Sequence, residues 1–319
     1  MARFTVAISF VFFWTFSVAL PAFAGLPRIH PASQVLPYPE GEGYTGFQAA
    51  FFSTTTEFAA TGDKRDLFSS ESTSGGKFYE TTISVQYERG ISNFWTLVVW
   101  LGYRNFSTKY TDLDVRPTDP ARFRSIKTDA FSELWVSGRI KLWQQQTIVG
   151  AFSSGLQPGI KLPTGDVTTT IPTGTGAMDY ELLLLPRLDV SAWGSPAALT
   201  GLVGYRMRGG GLDDELPYLL EFRVGVSKEL VLRTSVGGIS ASPDGTNNVV
   251  GLSYSDVDYS TGDVDASVSV IGDEAYTQLA LGFEFSFSRV VSVSFDYINR
   301  VSGKAAMSGE TYLLGFALH

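Results

Sequence analysis

The chain has no cysteine, so an exported form would carry no disulfide and would depend on a hydrogen-bonded sheet for its stability. Beyond residue 25 no run approaches 18 uninterrupted apolar residues, and we expect no membrane-spanning helix there. Basic residues are the minority, with 24 Lys and Arg against 32 Asp and Glu. The resulting net charge of −8 disfavours nucleic acid as a partner.

The first residues of the chain have the composition of an export signal. Arg3 supplies a positive charge, residues 7–20 are apolar, and Ala22-Phe23-Ala24 is a small-x-small cleavage site. A transmembrane anchor is the alternative, but the apolar run is too short for one. We predict a signal peptide over 1–24, cleaved near Ala24, followed by a proline-rich periplasmic segment over 25–43.

From residue 44 onward, segments of about ten residues alternate apolar and polar side chains, and the connectors alternate between short and long. This rhythm is typical of a β-barrel that spans the bacterial outer membrane, with short turns in the periplasm and long loops outside. We predict an all-β fold, an antiparallel up-and-down barrel of about 12 strands over 44–319, located in the outer membrane. The predicted strands are 44–56, 78–88, 94–106, 130–142, 147–161, 179–190, 198–208, 218–227, 230–239, 276–287, 290–301 and 310–318.

Charged residues fall on one alternating face of several strands, and apolar residues fall on the other. A lipid-facing Arg or Lys at the midplane costs about 2–4 kcal/mol, so a bilayer enforces this segregation. We expect the charged side chains to line the lumen, where they form either a salt-bridged network or the wall of a narrow pore. These residues are Glu133, Arg139, Lys141, Lys161, Asp179, Glu181, Arg187, Asp189, Arg206, Glu221 and Arg223.

Aromatic residues repeat on the apolar faces. Tyr79 and Tyr87 are eight residues apart in one strand, as are Trp95 and Tyr103 in the next. Eight tilted strand residues span roughly 20 Å of membrane height, which matches the separation of the two aromatic girdles of such barrels. The general preference of aromatic residues for strands gives the same pattern, and both interpretations stay open.

The third long connector carries two Pro-Thr-Gly units. Pro163-Thr164-Gly165-Asp166 closes one predicted strand, and Pro172-Thr173-Gly174 precedes the next. Proline ends a strand because it lacks a donor, and glycine supplies a tight turn. The units therefore indicate turn chemistry alone, or a folded loop that constricts the lumen.

Three features of this region carry a resemblance to a known family: the run Lys161-Leu162-Pro163-Thr164-Gly165-Asp166, the run 172–176, and Asp179. Through them the chain resembles a family of outer-membrane channels linked to the meta-pathway of phenol degradation. The resemblance implies a barrel that moves hydrophobic or aromatic solutes across the outer membrane, and it supplies no catalytic residues. One departure is the last residue. Such barrels usually end in an aromatic residue that the assembly machinery reads, whereas this chain ends in His319.

Three interpretations of the chain are consistent with these patterns. We expect a channel for passive uptake of small hydrophobic or aromatic solutes, embedded in outer-membrane lipid and lipopolysaccharide. A structural or surface-interaction barrel with a sealed lumen and acidic loops is the alternative, and a soluble exported β-sandwich is the third. The sequence does not give the oligomeric state.

Catalysis and metal binding have little support in the sequence. His30 lies in the proline-rich segment and His319 is the last residue, so neither is expected in a hydrolytic constellation at the outer rim. We predict no enzyme activity, no cofactor and no metal. The acidic connector 254–267 favours a surface hairpin, and a cation site there is a weaker alternative because its spacing matches no defined calcium loop.

Overall fold

The computed structural model describes residues 35–59, 61–67, 73–148, 150–165, 174, 176–192, 194–210, 213–241, 251–257, 264–269, 275–288, 290–304 and 306–319. The predicted signal peptide and the first part of the predicted periplasmic segment lie outside these residues. Asp166, Pro172 and Thr173 of the third connector also lie outside them.

The described residues are almost entirely strands. In chain order these are β1 (Gly43–Phe58), β2 (Lys64–Asp66), β3 (Thr73–Ser92), β4 (Trp95–Asp112), β5 (Phe123–Phe131), β6 (Leu134–Gln146), β7 (Ala151–Leu162), β8 (Asp179–Ala192), β9 (Ser195–Met207), β10 (Glu215–Gly225), β11 (Leu230–Ala241), β12 (Gly251–Val257), β13 (Val264–Ser269), β14 (Ala275–Ser286), β15 (Val291–Lys304) and β16 (Ala306–Leu318). A short 3-10 turn, Pro120–Arg122, precedes β5. No helix among the described residues has the length and hydropathy needed to cross a bilayer.

Twelve of these strands form a closed antiparallel barrel. Each pairs with its neighbours along the chain, and β16 returns to pair with β1 from Thr45↔Leu318 onward. Closure leaves no unpaired edge, which is the condition for a sheet to cross a bilayer. The predicted fold is confirmed, and each predicted strand overlaps a barrel strand. The barrel strands are β1, β3, β4, β6 to β11 and β14 to β16.

The two ends of the barrel differ in their connections. One end, called the turn end below, has the short connections 93–94, 147–150, 193–194, 226–229 and 287–290 together with His319. The other end, called the loop end, has the connections 59–72, 113–122, 163–178, 208–214 and 242–274 and the single residue 305. The loop-end connections are shorter than the sequence pattern predicted, because several strands continue past the apolar segments.

The last of these connections shows why. The pattern predicted about eight loop residues there, whereas β15 and β16 leave only residue 305 between them. Ser302, Gly303, Ser308 and Gly309 give this part of the hairpin no apolar alternation, so nothing in the pattern marks it as strand. The pairing of main-chain groups needs no such alternation and continues.

The predicted fourth strand is divided in two. β5 pairs with the loop-end part of β4, and β6 pairs with its turn-end part, with a break at 132–133. A second irregularity lies in β1, where the register shifts between Ser53 and Thr56. Because of this bulge Glu57 is buried, although it is an odd-numbered residue in a strand whose inward residues are even.

The outer face of the barrel is apolar. Alternate residues of adjacent strands are large, hydrophobic and exposed, for example Phe51, Ile83 and Leu182. Outward-facing charges in the described strands lie toward strand ends, except that of Lys127, which is the middle residue of β5. They include Lys77, Arg89, Lys109, Lys127, Asp129 and Glu310. The predicted segregation of charge is therefore confirmed. Tyr79, Tyr87 and Tyr103 point outward as expected, while their membrane depth stays a prediction.

The acidic connector forms a hairpin. β12 and β13 pair with one another in a separate two-stranded sheet, which confirms that part of the prediction. No group of three metal-ligating side chains occurs among the described residues, and 258–263 lie outside them. The absence of a metal stays the prediction for this connector, with the cation site as its weaker alternative.

Candidate functional site

The interior of the barrel holds the charged residues that were predicted to line the lumen. All eleven occupy inward-facing positions, and most are almost completely buried. Their partners define three ion-pair clusters, two toward the loop end and one toward the turn end.

The first cluster joins three strands at the loop end of the barrel. The ammonium group of Lys161 lies 3.0 Å from a carboxylate oxygen of Glu133 and 2.7 Å from one of Asp179. Asp179 also accepts a hydrogen bond of 3.1 Å from the backbone N–H of Gly209. The cluster ties the ends of β6, β7 and β8 to the β9–β10 connection.

The second cluster surrounds Arg206 on β9. Its guanidinium donates to Glu181 and, at 2.7 Å, to Glu215, while Arg208 lies 2.9 Å from the other oxygen of Glu215. Arg206 also stacks over the ring of Trp135, with 4.6 Å from its central carbon to the ring centroid. Together, the first two clusters form a charged wall over β6 to β10, made of Glu133, Lys161, Asp179, Glu181, Arg206, Arg208 and Glu215.

The third cluster lies toward the turn end. Arg139 is fully buried and donates two hydrogen bonds, of 2.7 and 3.1 Å, to the carboxylate of Glu88. Its Nε donates to the side-chain oxygen of Gln157 at 3.1 Å, and Gln157 donates to Ser137 at 3.2 Å. Bidentate geometry of this kind fixes both side chains, because two parallel bonds must break together.

The turn-end cluster continues on the opposite strands. Arg223 lies 2.5 Å from Glu284, and Arg233 donates to both oxygens of Asp296 at 2.7 and 2.8 Å. Glu221 lies beside Arg223 at 3.8 Å. Three of the predicted residues, Arg139, Arg206 and Arg223, thus meet partners that were not predicted from the sequence. The residues of the network that were not predicted are Glu88, Arg208, Glu215, Arg233, Glu284 and Asp296. Each of these residues has the same odd or even numbering as the inward residues of the strand to which it belongs or which it follows. This alternation was the sequence feature that could have predicted them.

Three predicted residues contribute less to the network than expected. Lys141 donates at 2.8 Å to Gln144 of its own strand, rather than to a lumen carboxylate of the described residues. Arg187 pairs at 2.6 Å with Asp189, two residues along β8, and both keep contact with solvent. The reason is their position near the turn end, where water competes with ion pairs.

An aromatic cluster occupies the other side of the lumen, also toward the loop end. It consists of Phe52, Phe78, Phe106 and Tyr110 with Met307, all buried and inward-facing, and we call it the aromatic wall. The rings of Phe78 and Phe106 lie 5.7 Å apart in a tilted arrangement. Its strands, β16, β1, β3 and β4, lie across the barrel from the charged wall.

Two arginines lie against this aromatic wall. The guanidinium of Arg104 lies 4.4 Å from the centroid of Phe106 and 2.9 Å from Glu80. The guanidinium of Arg300 lies 5.5 Å from the centroid of Phe52 and 4.1 Å from that of Tyr276. Each ring therefore presents its face to a cation, an arrangement that holds both groups in place.

Leu67, from the first loop, is inserted into the aromatic wall. It is 1% exposed, although it comes from a polar loop. Its N–H donates to the carbonyl of Thr55 at 2.8 Å, and β2 pairs with the end of β1. Arg65 fastens the same strand by a 2.7 Å ion pair with the buried carboxylate of Glu57. The loop thus places an apolar side chain in the loop-end mouth of the barrel.

The described residues of the two Pro-Thr-Gly units, 163–165 and Gly174, lie against the wall. The hydroxyl of Thr164 accepts a 2.8 Å bond from the N–H of Leu134 and donates to the carbonyl of Ser132 at 3.1 Å. Gly174 is buried, and a Cβ on it would lie 2.8 Å from Glu133 and 2.9 Å from Gly165. The glycines of the two units therefore meet beside the charged wall, while the constricting role of this loop stays a prediction.

Residues 35–38 are buried or half-buried in the turn-end part of the barrel, and residues 39–42 are exposed at its rim. Val35 is 2% exposed and packs with Leu183 and Leu185 of β8. The N–H of Tyr38 donates to the hydroxyl of Thr96 at 2.8 Å. The described part of the predicted periplasmic segment thus contacts lumen-facing side chains on both sides, and we call it the N-terminal plug.

The phenol of Tyr38 belongs to the same assembly. Burial, and then the nearby Glu88 carboxylate, raise the pKa of Tyr38 well above its ordinary value, and Arg139 offsets this in part. The group therefore stays neutral at ordinary pH. The plug therefore places this phenol within electrostatic range of the Glu88–Arg139 pair.

Comparisons with known proteins support the fold. No family of known proteins and no curated protein matches the sequence. The crystal structure of an outer membrane channel from Pseudomonas putida F1 is similar, with a TM-score of 0.57 and 12% identity, over 89% of this chain and 97% of that one. The transport unit of the autotransporter AIDA-I from Escherichia coli matches at a TM-score of 0.45 and 11% identity, over 87% and 90%. At such identities the likeness shows only that the chain has the fold of an outer-membrane β-barrel.

Proposed function

We propose that this barrel is an outer-membrane channel for passive uptake of small hydrophobic or aromatic solutes. The observation that carries the proposal is the division of the lumen between the aromatic wall and the charged wall. An aromatic solute with a polar substituent would find a ring surface on one side and hydrogen-bonding groups on the other. The similarity in fold to an outer membrane channel agrees with this function.

The apolar outer face and the lengths of the connections support the orientation. Barrels of this class put short turns in the periplasm and long loops outside. We therefore place the turn end, with the N-terminal plug and His319, in the periplasm. Export by the predicted signal peptide would deliver the chain to that compartment, and lipid and lipopolysaccharide would surround the apolar belt.

The channel in this conformation is narrowed at both ends. The N-terminal plug occupies the turn end, and Leu67 occupies part of the loop end. Passage of a solute therefore requires these segments to move. Neither segment is one of the twelve strands that close the barrel. Movement would break the pairing of β2 with β1, or the main-chain bonds of residues 41 and 42 to Gly90, and would leave the closed barrel intact.

A structural barrel with a sealed lumen is the second candidate. The observation that favours it is the burial of whole ion pairs. In the pair of Glu88 with Arg139, for example, Arg139 is 0% exposed and Glu88 is 2% exposed. A catalytic role has less support. His319 meets Ser292 at 3.1 Å and the ring of Tyr44 at 5.4 Å, contacts that hold the last residue to β15 and β1 at the turn end.

Liposome swelling tests the channel directly. The full mature chain is reconstituted, and permeation of phenylalanine is compared with that of glutamine, which has a similar size and charge but no ring. We expect faster swelling in phenylalanine, with empty liposomes as the baseline. If neither amino acid permeates, even in a chain from which residues 35–42 are deleted, the barrel is sealed and the second candidate stands.

A further inference from the structure

The outer surface of the barrel carries a group of lysines that the proposed channel does not use. Lys77 of β3 and Lys109 of β4 are directly opposite in the antiparallel ladder. Lys127 of β5 is opposite Ser107, and therefore lies diagonal to Lys109. All three side chains are exposed and alternate with inward-facing residues, so they point away from the lumen.

This arrangement is unfavourable in the protein alone. Like charges directly opposite on neighbouring strands repel, with Cβ atoms about 4.5–5.5 Å apart, and a diagonal neighbour about 7–8 Å away adds to the repulsion. Among the described residues no carboxylate forms an ion pair with any of the three lysines. Asp129 shares the surface, but its carboxylate accepts the hydroxyl of Tyr103.

The position of the lysines relative to the apolar belt identifies the partner. The ammonium group of Lys77 lies 4.9 Å from the ring centroid of Tyr79, two residues closer to the middle of the strand. Two tilted residues correspond to about 5 Å of height, so Lys77 lies just beyond the aromatic end of the belt on the loop side. In the orientation proposed above, this is the level of the headgroups of the outer leaflet.

We propose that Lys77, Lys109 and Lys127 bind the anionic headgroup of lipopolysaccharide, through its phosphate and carboxylate groups. Three ammonium groups on a rigid sheet match a ligand with several closely spaced negative charges, and the ligand removes the repulsion among them. The inference rests on the proposed orientation. It does not depend on conduction through the lumen.

Lipid binding to the detergent-solubilised chain tests this site. Affinity for deep-rough lipopolysaccharide is measured for the wild type and for K77S/K109S/K127S. A lysine near an anionic surface contributes about fivefold in affinity, so we expect a loss of roughly a hundredfold. The matched control is K64S/K228S/K304S, which removes three exposed lysines elsewhere and should retain the wild-type affinity. Equal losses in both variants would show general charge attraction and overturn the proposal.

Two further arms separate the possible sources of anion. Phosphatidylglycerol vesicles and inorganic pyrophosphate should bind weakly, with no dependence on the three lysines. Equal dependence for phosphatidylglycerol would mean that the surface recognises any anionic lipid and would refute lipopolysaccharide as the specific ligand. A barrel that binds lipopolysaccharide but passes no solute would refute the channel and leave this site intact.

The stability of Lys109→Gln gives an independent readout. In detergent free of lipopolysaccharide, the substitution removes repulsion from Lys77 and should raise the thermal midpoint. With lipopolysaccharide bound, the same substitution removes a contact and should lower it. A change of the same sign in both conditions would show a purely structural role and overturn the proposal.

Discussion

The carbonyl oxygen of Val35 lies 2.4 Å from the point where a Cβ on Gly155 would stand. The wall of the barrel therefore makes room for the N-terminal plug at one glycine of β7. A Cβ at this distance cannot be accommodated without moving backbone, and the plug is the less constrained of the two. Gly155→Ala should displace residues 35–42 and increase single-channel conductance in planar bilayers several-fold.

Gly159→Ala is the matched control for this substitution. Gly159 lies on the same strand, faces the same way, and has a side-chain atom, Ser137 Cβ, as its nearest neighbour at 3.0 Å. The conductance of the Gly159→Ala variant should stay at the wild-type level. Equal conductance in both variants would mean that the plug does not limit passage.

The plug should also respond to alkaline pH. Because the folded environment raises the pKa of Tyr38, docking of the plug is fully stabilised below the ordinary tyrosine value of about 10. As pH rises above that value, the free phenol ionises first and docking weakens. Conductance of the wild type should increase above about pH 10, whereas that of Tyr38→Phe should not show this component. An identical pH profile for the two proteins would contradict the assignment.

The pair of Glu88 and Arg139 should dominate the stability of the turn-end lumen. Glu88→Gln leaves the guanidinium buried without its counter-charge, at a cost of about 3–5 kcal/mol. Urea unfolding in lipid vesicles, followed by tryptophan fluorescence, measures the loss. Glu42→Gln, at an exposed position, should be neutral. The double variant E88M/R139M should recover most of the stability, because it removes both charges together.

The apolar belt can be tested at two heights on the same outer surface. Val203 is 52% exposed on the outer face of β9, and Val203→Arg should cost about 2–4 kcal/mol of folding free energy in a bilayer. Ser240 is exposed on the outer face of β11 near its loop end, and Ser240→Arg should cost almost nothing. A similar cost at both positions would place the membrane elsewhere on the barrel.

The alternation of side chains was sufficient to predict the strands, the closed sheet and the inward face of each charged residue. It could not identify the partners, because barrel closure and register bring together residues such as Glu88 and Arg139 that are 51 positions apart. Arg300 was missed although it shares the inward parity of Asp296 in β15, so the same signal was available for both residues. The plug and Leu67 were missed for another reason. Both lie in segments without period, and their burial depends on a lumen that exists only after the barrel has closed.

Leu67 offers the sharpest test of how the loop end opens. It fills space among the rings of the aromatic wall, and its loop is fastened by the pairing of β2 and by the ion pair of Arg65 with Glu57. Leu67→Ala removes the apolar contact but leaves both fastenings, so the loop stays in place with a vacancy beside Phe52 and Phe106. Aromatic solutes should occupy that vacancy, and swelling in phenylalanine should increase relative to swelling in glutamine.

A substitution at an exposed loop residue provides the comparison for Leu67. Leu113 is 38% exposed in the second loop, and Leu113→Ala should change neither rate. A general loosening of the barrel would raise both rates together, since a wider water-filled lumen does not distinguish a ring from an amide. Only a selective gain for phenylalanine would mean that Leu67 occupies the place of the solute. An equal gain for both amino acids would mean that Leu67 only obstructs the lumen sterically. The charged wall would then determine which solutes pass.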